Sequence, residues 1–442
     1  MMRRNREDRC PGGRYAAAPH KNEETDHLTD RIPTSLPSAP SPVLPAPVPR
    51  SMRRVFCLDD LEKEARRFLP PAIFSYVVSP AERGQSMDDN RAVFDEIRFV
   101  PRVLRDVAQR SIGTTLLGQS YSAPFGIAPM GVSALTAYRG DRVLAESAAR
   151  AGIPMVMSGS SLTRMEEVVQ AAPGSWFQAY LPPTAERIAA LVDRTARAGF
   201  GTLVITVDTA VRGSTEHYRR AGFTSPLEPD WRLLWGAVTH PRWALGSFLR
   251  TVLRGGLPHF ENSDHDKRIA IVARNVVREF SGRAHLDWEA LRRVRDQWKG
   301  PLVMKGVLHP ADAVRARDEG WDAIVLSNHG GRQLDGAVSP MRVLPAVRAA
   351  VGDALPVLID SGFRRGTDVL KALALGADFV LVGRPFNYAA TVGGAAGVAH
   401  AAGLLAQETD MALGMLGVNR IHELSSALLM LKADTFFTPP PA

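Results

Sequence analysis

Polar and titratable side chains follow nearly every short apolar run between residues 150 and 390 of this sequence. Histidine, lysine and aspartate can move protons or hold charge, and hydroxyl and amide groups can bind a polar ligand. The set comprises Ser158, Gln178, Tyr180, Thr206, Asp208, Lys305, Ser327, Asn328, His329, Asp360, Gly383 and Arg384. Any one of them alone would more often be a structural polar residue. They form a site only if the fold brings them together.

Two glycine-rich turns with arginines point to a bound phosphate. One reads DSGFRRG at 360–366, and the other reads GRP at 383–385. Such turns bind phosphate through backbone N–H groups and the N-terminus of the following helix. We therefore predict a phosphate-bearing ligand, although many barrels that act on phosphorylated substrates share this spacing.

The elements that must position these residues are eight short apolar runs. Runs this apolar are typical of parallel strands that are buried on both faces. The predicted strands are 125–128, 154–157, 176–179, 202–207, 302–305, 323–326, 357–359 and 379–382. Amphipathic stretches of helical length, such as 139–151 and 185–198, lie between most of them. This alternation predicts parallel strands joined by helices.

Eight such units predict an α/β fold, namely a single (β/α)8 TIM barrel. In this fold the C-terminal ends of all the strands meet at one face, which carries the reactive groups. The polar residues listed above would then converge on one mouth. The interval between the fourth and fifth strands is much longer than the others, so we predict an insertion at about 209–300.

The first 51 residues are rich in Pro, Ser, Arg and Ala and cannot bury enough apolar surface to fold. We predict a disordered tail at 1–51 and a folded domain at 52–442. A start codon assigned too far upstream would explain these residues as well as a functional tail would. Residues 1–54 hold ten basic and six acidic residues, which is half of the net charge of +8. Because no basic run interleaved with aromatics occurs in the body, we expect no nucleic-acid partner.

Cysteine usage and the N-terminal residues bear on the compartment. The two cysteines, Cys10 and Cys57, are not at metal-ligand spacing, so we predict no metal site and a reducing compartment. No unbroken apolar run approaches the roughly 18 to 20 residues that span a bilayer. The start, MMRRNREDRCPGG, lacks the apolar segment of a signal peptide. These features predict a cytoplasmic protein.

One part of the insertion, residues 231–258, combines aromatic and basic residues. It has no acidic residue and contains Trp231, Trp235, Trp243, Phe248, Arg232, Arg242, Arg250 and Arg254. This mixture suits an anionic membrane surface, which would place the protein on the inner face of the plasma membrane. An active-site lid or a contact between subunits explains the composition equally well.

The segment SNHGGRQLDG at 327–336 carries a specific resemblance. With it, the chain resembles the FMN-dependent 2-hydroxy-acid dehydrogenases and oxidases, a family that includes glycolate oxidase, mandelate dehydrogenase and bacterial L-lactate dehydrogenases. The similarity extends from about residue 56 to about 432. The other matching motifs, in family order, are FSYV at 74–77, IAPMG at 127–131, FQAY at 177–180, TVDT at 206–209, MKGV at 304–307, IDSGFRRGTD at 359–368 and VGRP at 382–385.

The resemblance implies a set of catalytic and substrate-binding residues. It makes His329 the active-site base, with Asp208 orienting its imidazole and stabilising it once protonated. Histidine titrates near neutral pH, and a neighbouring carboxylate favours its charged form. Arg332 and Tyr76 correspond to the residues that contact the substrate carboxylate, and Tyr180 to the one that contacts the hydroxyl.

The resemblance also implies that the ligand is FMN. Lys305 corresponds to the lysine beside the flavin N1 and O2 positions, where a positive charge favours the anionic reduced ring. The expected contacts to the flavin ring come from Pro129, Met130, Gly131, Ser158, Gln178, Thr206 and Ser327. The expected contacts to the ribityl chain and phosphate come from Asp360, Ser361, Gly362, Arg364, Gly383 and Arg384.

The sequence departs from the family pattern at two places. Thr215 stands where the family has an arginine that binds the substrate carboxylate. Losing a charged hydrogen-bond partner costs on the order of 1.5–3 kcal/mol, which predicts weaker binding of a small acid or a different substrate. The sequence leaves open whether Arg212, Arg219 or Arg220 takes this role. Ser160 replaces a tryptophan of glycolate oxidase, so a side chain larger than that of glycolate should fit.

The expected reaction is oxidation of an (S)-2-hydroxy acid, L-lactate or a larger analogue, to the 2-oxo acid. The electron acceptor would be a quinone, a cytochrome or O2. The segment VTHPRW at 238–243 resembles the bacterial L-lactate dehydrogenases and favours a respiratory acceptor over O2. Alternatives are an oxidase, an enzyme acting on a peptide-derived substrate, and a flavin-binding protein without turnover. The resemblance further implies a homotetramer.

Overall fold

The computed structural model describes residues 49–225, 227–228, 230–262, 269–272, 284, 286–432 and 436. The predicted tail at 1–51 lies outside these residues except for its last three. Within the described part, eight parallel strands form one sheet. They are β1 (Phe125–Ile127), β2 (Val156–Ser158), β3 (Trp176–Ala179), β4 (Leu203–Thr206), β5 (Leu302–Val307), β6 (Ala323–Leu326), β7 (Val357–Ile359) and β8 (Phe379–Val382).

The sheet closes into a barrel. Each strand from β2 to β8 pairs in parallel with the next one, and β8 pairs with β1. A parallel bridge between Ile127 and Met155 joins β1 to the residue that precedes β2 and completes the ring. This confirms the predicted barrel, and all eight predicted strands coincide with observed ones to within two residues.

A helix follows each strand on the outside of the barrel. The helices are α1 (Gly140–Arg150), α2 (Met165–Ala171), α3 (Ala185–Ala198), α4 (Trp288–Gln297), α5 (Pro310–Asp318), α6 (Pro340–Val351), α7 (Gly366–Ala374) and α8 (Arg384–Met415). Their ends carry ordinary capping signals: Thr184 and Asp287 accept backbone N–H groups at the starts of α3 and α4. The fourth barrel helix, α4, occupies the end of the interval that we predicted as insertion.

The insertion between β4 and α4 is mainly helical in its described part. Its helices are Glu216–Arg220, Trp231–Thr239 and Pro241–Trp243, followed by a π-helix Ala244–Leu249 and a last helix Arg250–Gly255. Two short strands, His259–Phe260 and Ile269–Ala270, pair in antiparallel fashion. Most of the helical residues of the insertion therefore lie in the segment 231–258 that the sequence singled out.

The remaining elements lie before and after the barrel. Helices Asp60–Phe68, Pro71–Val78 and Gln85–Ala92 precede it, and Ser133–Thr136 is a short helix after β1. Strand Ile97–Phe99 pairs with Leu429–Leu431, and Thr114–Leu116 pairs with Gln119–Tyr121. Single turns of 3₁₀-helix are Arg50–Met52, Val93–Glu96, Gly352–Ala354, Ile421–Glu423 and Ser426–Leu428.

The core has two parts because each strand is buried on both faces. One cluster lies mainly inside the barrel and contains Ala128, Val156, Trp176, Val204, Val303, Ala323, Val325, Leu358, Phe379 and Leu381. The larger cluster lies between the outer faces of the strands and the helices. This explains why the strands are continuous apolar runs without polar alternation.

Helix α8 is an exception to the expectation that no apolar stretch approaches the length of a membrane span. It is long and apolar enough to cross a membrane by length and composition. Its hydropathy comes from Ala, Val and Leu, and the helix is interrupted at Gly394, whose φ of 56° and ψ of −142° are not helical. It packs against α1 and against helix Asp60–Phe68, as expected for the last helix of a barrel. Its composition therefore fits a core helix.

Candidate active site

The C-terminal ends of the strands surround one cavity of about 250 Å³. The fold thus brings together residues as far apart in the chain as Tyr76 and Arg384. The predicted site residues that line the cavity are Tyr76, Pro129, Met130, Gly131, Tyr180, Thr206, Lys305, His329, Arg332, Asp360, Ser361, Gly362, Arg364, Gly383 and Arg384. The other four, Ser158, Gln178, Asp208 and Ser327, hydrogen-bond to the lining residues or to each other.

His329 is held between a carboxylate and a phenol. Its Nδ1 lies 3.1 Å and 3.2 Å from the two carboxylate oxygens of Asp208. Because a carboxylate only accepts hydrogen bonds, Nδ1 carries the proton and donates. Nε2 lies 3.3 Å from the hydroxyl of Tyr180. In the neutral imidazole, Nε2 therefore has its lone pair on the side of Tyr180 and is able to accept a proton.

The charge of Asp208 is maintained by its neighbours. Burial raises the pKa of this carboxyl, but the charge and hydrogen bond of His329, together with the charge of Lys305, lower it below its usual value. Gly306 allows Asp208 to pack directly against the backbone of β5, since a Cβ at 306 would be 2.7 Å from Cβ of Asp208. Asp208 is thus ionised at neutral pH and favours an imidazolium after proton transfer.

Lys305 belongs to a ring of hydrogen bonds beneath the histidine loop. Its Nζ lies 3.0 Å from Asp360 and donates to the hydroxyl of Ser327 at 2.7 Å. The same hydroxyl accepts the backbone N–H of His329 at 3.0 Å. Ser361 donates to Asp360 at 2.8 Å and accepts the N–H of Gly330 at 3.1 Å. The lysine and the loop that carries the base are therefore fixed together.

Arg332 and Tyr76 lie beside each other in the cavity lining. The guanidinium of Arg332 lies 5.2 Å from the ring centroid of Tyr76. Its Nη1 donates to the carbonyl oxygens of Val77 at 3.1 Å and of Ser79 at 3.0 Å. Both carbonyls lie at the end of helix Pro71–Val78. The N-terminal helix thereby orients the arginine.

The cavity lining contains two further arginines, Arg364 and Arg384. Burial, together with the charge of Arg332, lowers the pKa of Arg384 to about 10. Burial, with the charge of Arg91, also lowers the pKa of Arg364. A bound anion would relieve both effects. Gly362, at φ +91°, lies so close to Asn90 that a Cβ would be 2.0 Å from its carbonyl oxygen. This cradle fits a phosphate.

Two buried polar atoms suit the polar edge of a flavin. Nε2 of Gln178 and Oγ1 of Thr206 have no hydrogen-bond partner among the described residues. Oε1 of Gln178 accepts the hydroxyl of Ser158 at 3.2 Å, which turns Nε2 away from it. Donors of this kind match carbonyl oxygens and nitrogens of an isoalloxazine ring. The donor set therefore fits FMN at both its ring and its phosphate.

The structure shows which of the arginines near Thr215 line the cavity. Thr215, Arg219 and Arg220 are not among the described residues that line the cavity, whereas Arg212 is. Arg220 lies 3.2 Å from Glu216 on its own helix. The lining also includes Ser160, as expected for a pocket opened by replacing a large side chain.

Sequence reasoning missed Asn90, Asn387 and Tyr218, and it gave no partner for Asn328. Asn90 and Asn328 exchange two hydrogen bonds of 2.8 Å, which tie the N-terminal helices to the histidine loop. Asn387 and Tyr218 line the cavity. No local pattern marks these residues, except that Asn328 lies within the SNHGG segment.

Comparisons with known proteins agree with this site. Residues 65–431 match the family model described as FMN-dependent dehydrogenase. The chain is 37% identical over 390 residues to (S)-mandelate dehydrogenase of Pseudomonas putida, covering 88% of this chain and 97% of that protein. It is 38% identical over 376 residues to L-lactate dehydrogenase of Ectopseudomonas mendocina, covering 84% and 97%. It is 36% identical over 381 residues to L-lactate oxidase of a Nostoc species, covering 85% and 98%.

A solved structure adds information on location. The fold is similar to a crystal structure described as that of the monotopic membrane protein (S)-mandelate dehydrogenase, with a TM-score of 0.77 and 36% identity. That similarity covers 86% of this chain and all of the other. The description conflicts with a purely cytoplasmic protein, which the sequence led us to expect.

The barrel fold, the site around His329 and the similarity to these relatives all indicate the same family. The chain spans nearly the full length of these relatives. This protein belongs to the family of FMN-dependent 2-hydroxy-acid dehydrogenases and oxidases.

Proposed function

We propose that this enzyme oxidises an (S)-2-hydroxy acid, L-lactate or a larger analogue, to the 2-oxo acid and passes the electrons to a respiratory acceptor, a quinone or cytochrome. The observation that carries the proposal is the position of His329, with Asp208 on one ring nitrogen and Tyr180 on the other. It places a base beside a hydrogen-bond donor in a cavity that also holds Arg332.

In this proposal each residue of the site has its own role in the reaction. Bound FMN supplies the acceptor for two electrons. Arg332 and Tyr76 hold the substrate carboxylate, and Tyr180 contacts the hydroxyl. His329 takes a proton at Nε2, either from the hydroxyl or from the α-carbon, and Asp208 stabilises the resulting charge. Lys305 offers a positive charge to the reduced ring.

FMN itself would be held from both ends of the cavity. Ser158, Gln178, Thr206 and Ser327 lie near the ring end, with the backbone of residues 129–131. The phosphate end is formed by Arg364 and Arg384, with Asp360, Ser361, Gly362 and Gly383 along the way. These roles rest on the positions of the side chains and on the unpaired donors of Gln178 and Thr206.

The test is a visible spectrum of the purified holoprotein, recorded without air before and after adding L-lactate and then larger 2-hydroxy acids. Bleaching of the flavin by one acid identifies the substrate. His329→Ala should retain FMN but slow the reduction by about 10²-fold or more, the scale of a lost general base. His422→Ala, an exposed histidine outside the cavity, is the matched control. A His329→Ala variant reduced at the wild-type rate would overturn the assignment.

Readmitting air after bleaching separates the two acceptor classes. Slow return of the flavin absorbance, with rapid return on adding a soluble quinone, is the result expected for a dehydrogenase. Rapid return in air alone would select the oxidase instead.

A second candidate keeps FMN but acts on a peptide-derived substrate. Thr215, in place of a cationic residue, is the observation that favours it. Flavin bleaching by a peptide carrying a 2-hydroxy acid, with none by any free acid in the panel, would select this candidate.

We also propose that the protein binds the inner face of the plasma membrane through residues 231–258. Trp231, Leu234, Trp235 and Val238 are exposed and recur every three or four residues, so they form one face of helix Trp231–Thr239. On the following helical segment, exposed leucines lie at 245, 249 and 253. Exposed apolar surface of this extent, with arginines and no acidic residue, is typical of an interfacial membrane segment.

Vesicle flotation tests this location. Full-length protein should float with vesicles that contain an anionic lipid and much less with neutral ones, because arginines contribute attraction to the anionic surface. Trp231→Ser with Trp235→Ser should reduce binding by more than tenfold, since two interfacial aromatic side chains are lost. Phe56→Ser, another exposed aromatic residue, is the control. Equal flotation of the two variants would contradict the proposal.

A homotetramer is the proposed assembly. Val103, Leu104, Met415 and Met430 are exposed apolar residues. Met430 lies in the paired strands Ile97–Phe99 and Leu429–Leu431, and the N–H of Arg102 donates to the carbonyl of Leu416, the residue after Met415. Exposed apolar side chains of this kind are suited to a subunit contact. Light scattering of the holoprotein in detergent gives the mass, and a monomeric mass would reject the tetramer.

A further inference from the structure

The loop that follows β4 lies directly against the loop that carries His329 and Arg332. At its start, Asp208 hydrogen-bonds to His329. Five residues on, Gly213 approaches Arg332 so closely that a Cβ there would be 2.8 Å from the carbonyl oxygen of Arg332. It would also lie 2.9 Å from Oε1 of Gln333. Only glycine fits at 213, and this approach fixes its neighbour, Arg212, at the mouth of the cavity.

The lysine and arginine residues that line the cavity, within the described part of the chain, are Lys305, Arg212, Arg332, Arg364 and Arg384. The proposed function assigns Lys305, Arg364 and Arg384 to FMN. Arg332 and Arg212 come from two loops that touch at Gly213, and they are the two that remain for a substrate.

Two backbone carbonyls, those of Val77 and Ser79, accept hydrogen bonds from Nη1 of Arg332 and so fix its orientation. An arginine oriented in this way can hold a carboxylate through Nε and Nη2. The two oxygens of a carboxylate offer about four lone-pair sites, so a bidentate arginine leaves room for a second cationic partner.

Among the described arginines that follow β4, the cavity geometry selects one. Arg219 and Arg220 lie on the exposed helix Glu216–Arg220 and do not line the cavity. Arg212 lines it, and its side chain is exposed at the entrance.

We propose that Arg212 binds the substrate carboxylate together with Arg332 and so determines the preference for acids over neutral analogues. This inference rests on the proposed function, because it takes a 2-hydroxy acid as the ligand. It assigns to residue 212 the cationic role that Thr215 is unable to fill.

The test measures binding of product-type probes to the FMN-loaded protein by the shift in flavin absorbance. The acid probes are pyruvate and benzoyl-formate, and the neutral probe is 2-oxo-2-phenylacetamide, the amide of benzoyl-formate. Arg212→Ala should weaken binding of at least one acid by roughly 10- to 100-fold, the range expected for one charged hydrogen-bond partner, and change amide binding by less than about threefold. Arg212→Lys, which keeps the charge but loses the planar fork, should fall between.

Arg219→Ala is the matched control, since it removes an arginine of the same region that does not line the cavity. It should bind acids and amide as the wild type does. Wild-type affinity for the acids in Arg212→Ala would overturn the role of Arg212, as would an equal loss for acid and amide. A wild-type holoprotein that binds none of the probes and is reduced by no hydroxy acid would instead contradict the proposed function itself.

Discussion

Two residues of the site adopt a backbone conformation that side chains normally avoid. His329 has φ +58° and Ser361 has φ +80°. Such left-handed conformations cost about 1–3 kcal/mol for residues other than glycine, and they persist where the surroundings hold them in place. In both cases the neighbouring contacts are the hydrogen bonds of the ring around Asp360. The strain is thus located at the loops that position the base and the phosphate.

Ser361→Gly separates strain from hydrogen bonding. Glycine adopts φ +80° without penalty, which offsets its larger entropy loss on folding. We expect a melting temperature equal to or above that of the wild type. The loss of the hydroxyl that accepts the N–H of Gly330 should slow flavin reduction at saturating FMN and substrate, by about 3- to 10-fold. Stopped-flow absorbance gives the rate, and differential scanning fluorimetry gives the stability.

Ser361→Ala is the comparison, because it loses the same hydroxyl but keeps the strain. It should be slow and also less stable than Ser361→Gly by about 1 kcal/mol. Wild-type reduction rates in both variants would show that the Ser361 hydroxyl does not position the histidine loop.

At the scale of elements, the insertion is attached to the barrel by side chains that reach the loops around the cavity. Nε1 of buried Trp243 donates to the carbonyl of Leu135 at 2.8 Å, in the short helix after β1. Buried Asn262 accepts the N–H of Met165 at 2.9 Å and donates to the carbonyl of Thr163 at 2.7 Å. The loops held in this way also carry Gly131 and Ser160, which line the cavity.

Asn262→Ala tests whether this attachment shapes the site. It leaves a buried N–H and a buried carbonyl without their partner, which costs about 1–3 kcal/mol. We expect a lower melting temperature and weaker FMN retention on gel filtration, because the loop that begins at Ser158 loses its anchor. The control is Gln297→Ala, which removes an exposed hydrogen bond from the side-chain amide of Gln297 to the carbonyl of Ala189. Neither residue lines the cavity. FMN retention equal in the two variants would limit Asn262 to a role in stability.

At the scale of the whole molecule, the cavity exists only because the barrel is closed. Its lining comes from the ends of strands that span residues 125 to 382 and from the N-terminal helix with Tyr76. A ligand that contacts most of these strands binds the folded chain and has no counterpart in the unfolded one. FMN should therefore stabilise the entire barrel.

Removing FMN should lower the melting temperature. At a ligand concentration of about 1,000 times Kd, binding contributes about 4 kcal/mol, which corresponds to a shift on the order of 5 °C for a domain of this size. Riboflavin at the same concentration should give a smaller shift, because it lacks the phosphate that Arg364 and Arg384 would bind. Scanning calorimetry of the apoprotein with each ligand measures this, and equal shifts would contradict a phosphate site at these arginines.

The sequence alone was sufficient to predict the barrel and to indicate which residues gather at its mouth. Strands buried on both faces need continuous apolar runs, and these are visible locally. A closed barrel then requires that all their C-terminal ends meet at one face, so Asp208, Lys305 and His329 had to be close.

The tertiary structure decided what depends on contacts between distant segments. It placed Arg212 in the cavity lining and left Arg219 and Arg220 outside it, because the close approach of residue 213 to Arg332 is a matter of backbone packing. It placed α4 within the interval predicted as insertion, and it showed Asn262 holding a loop about 100 residues earlier in the chain. Such contacts have no local signal, since a single polar residue is compatible with many environments until the chain around it has folded.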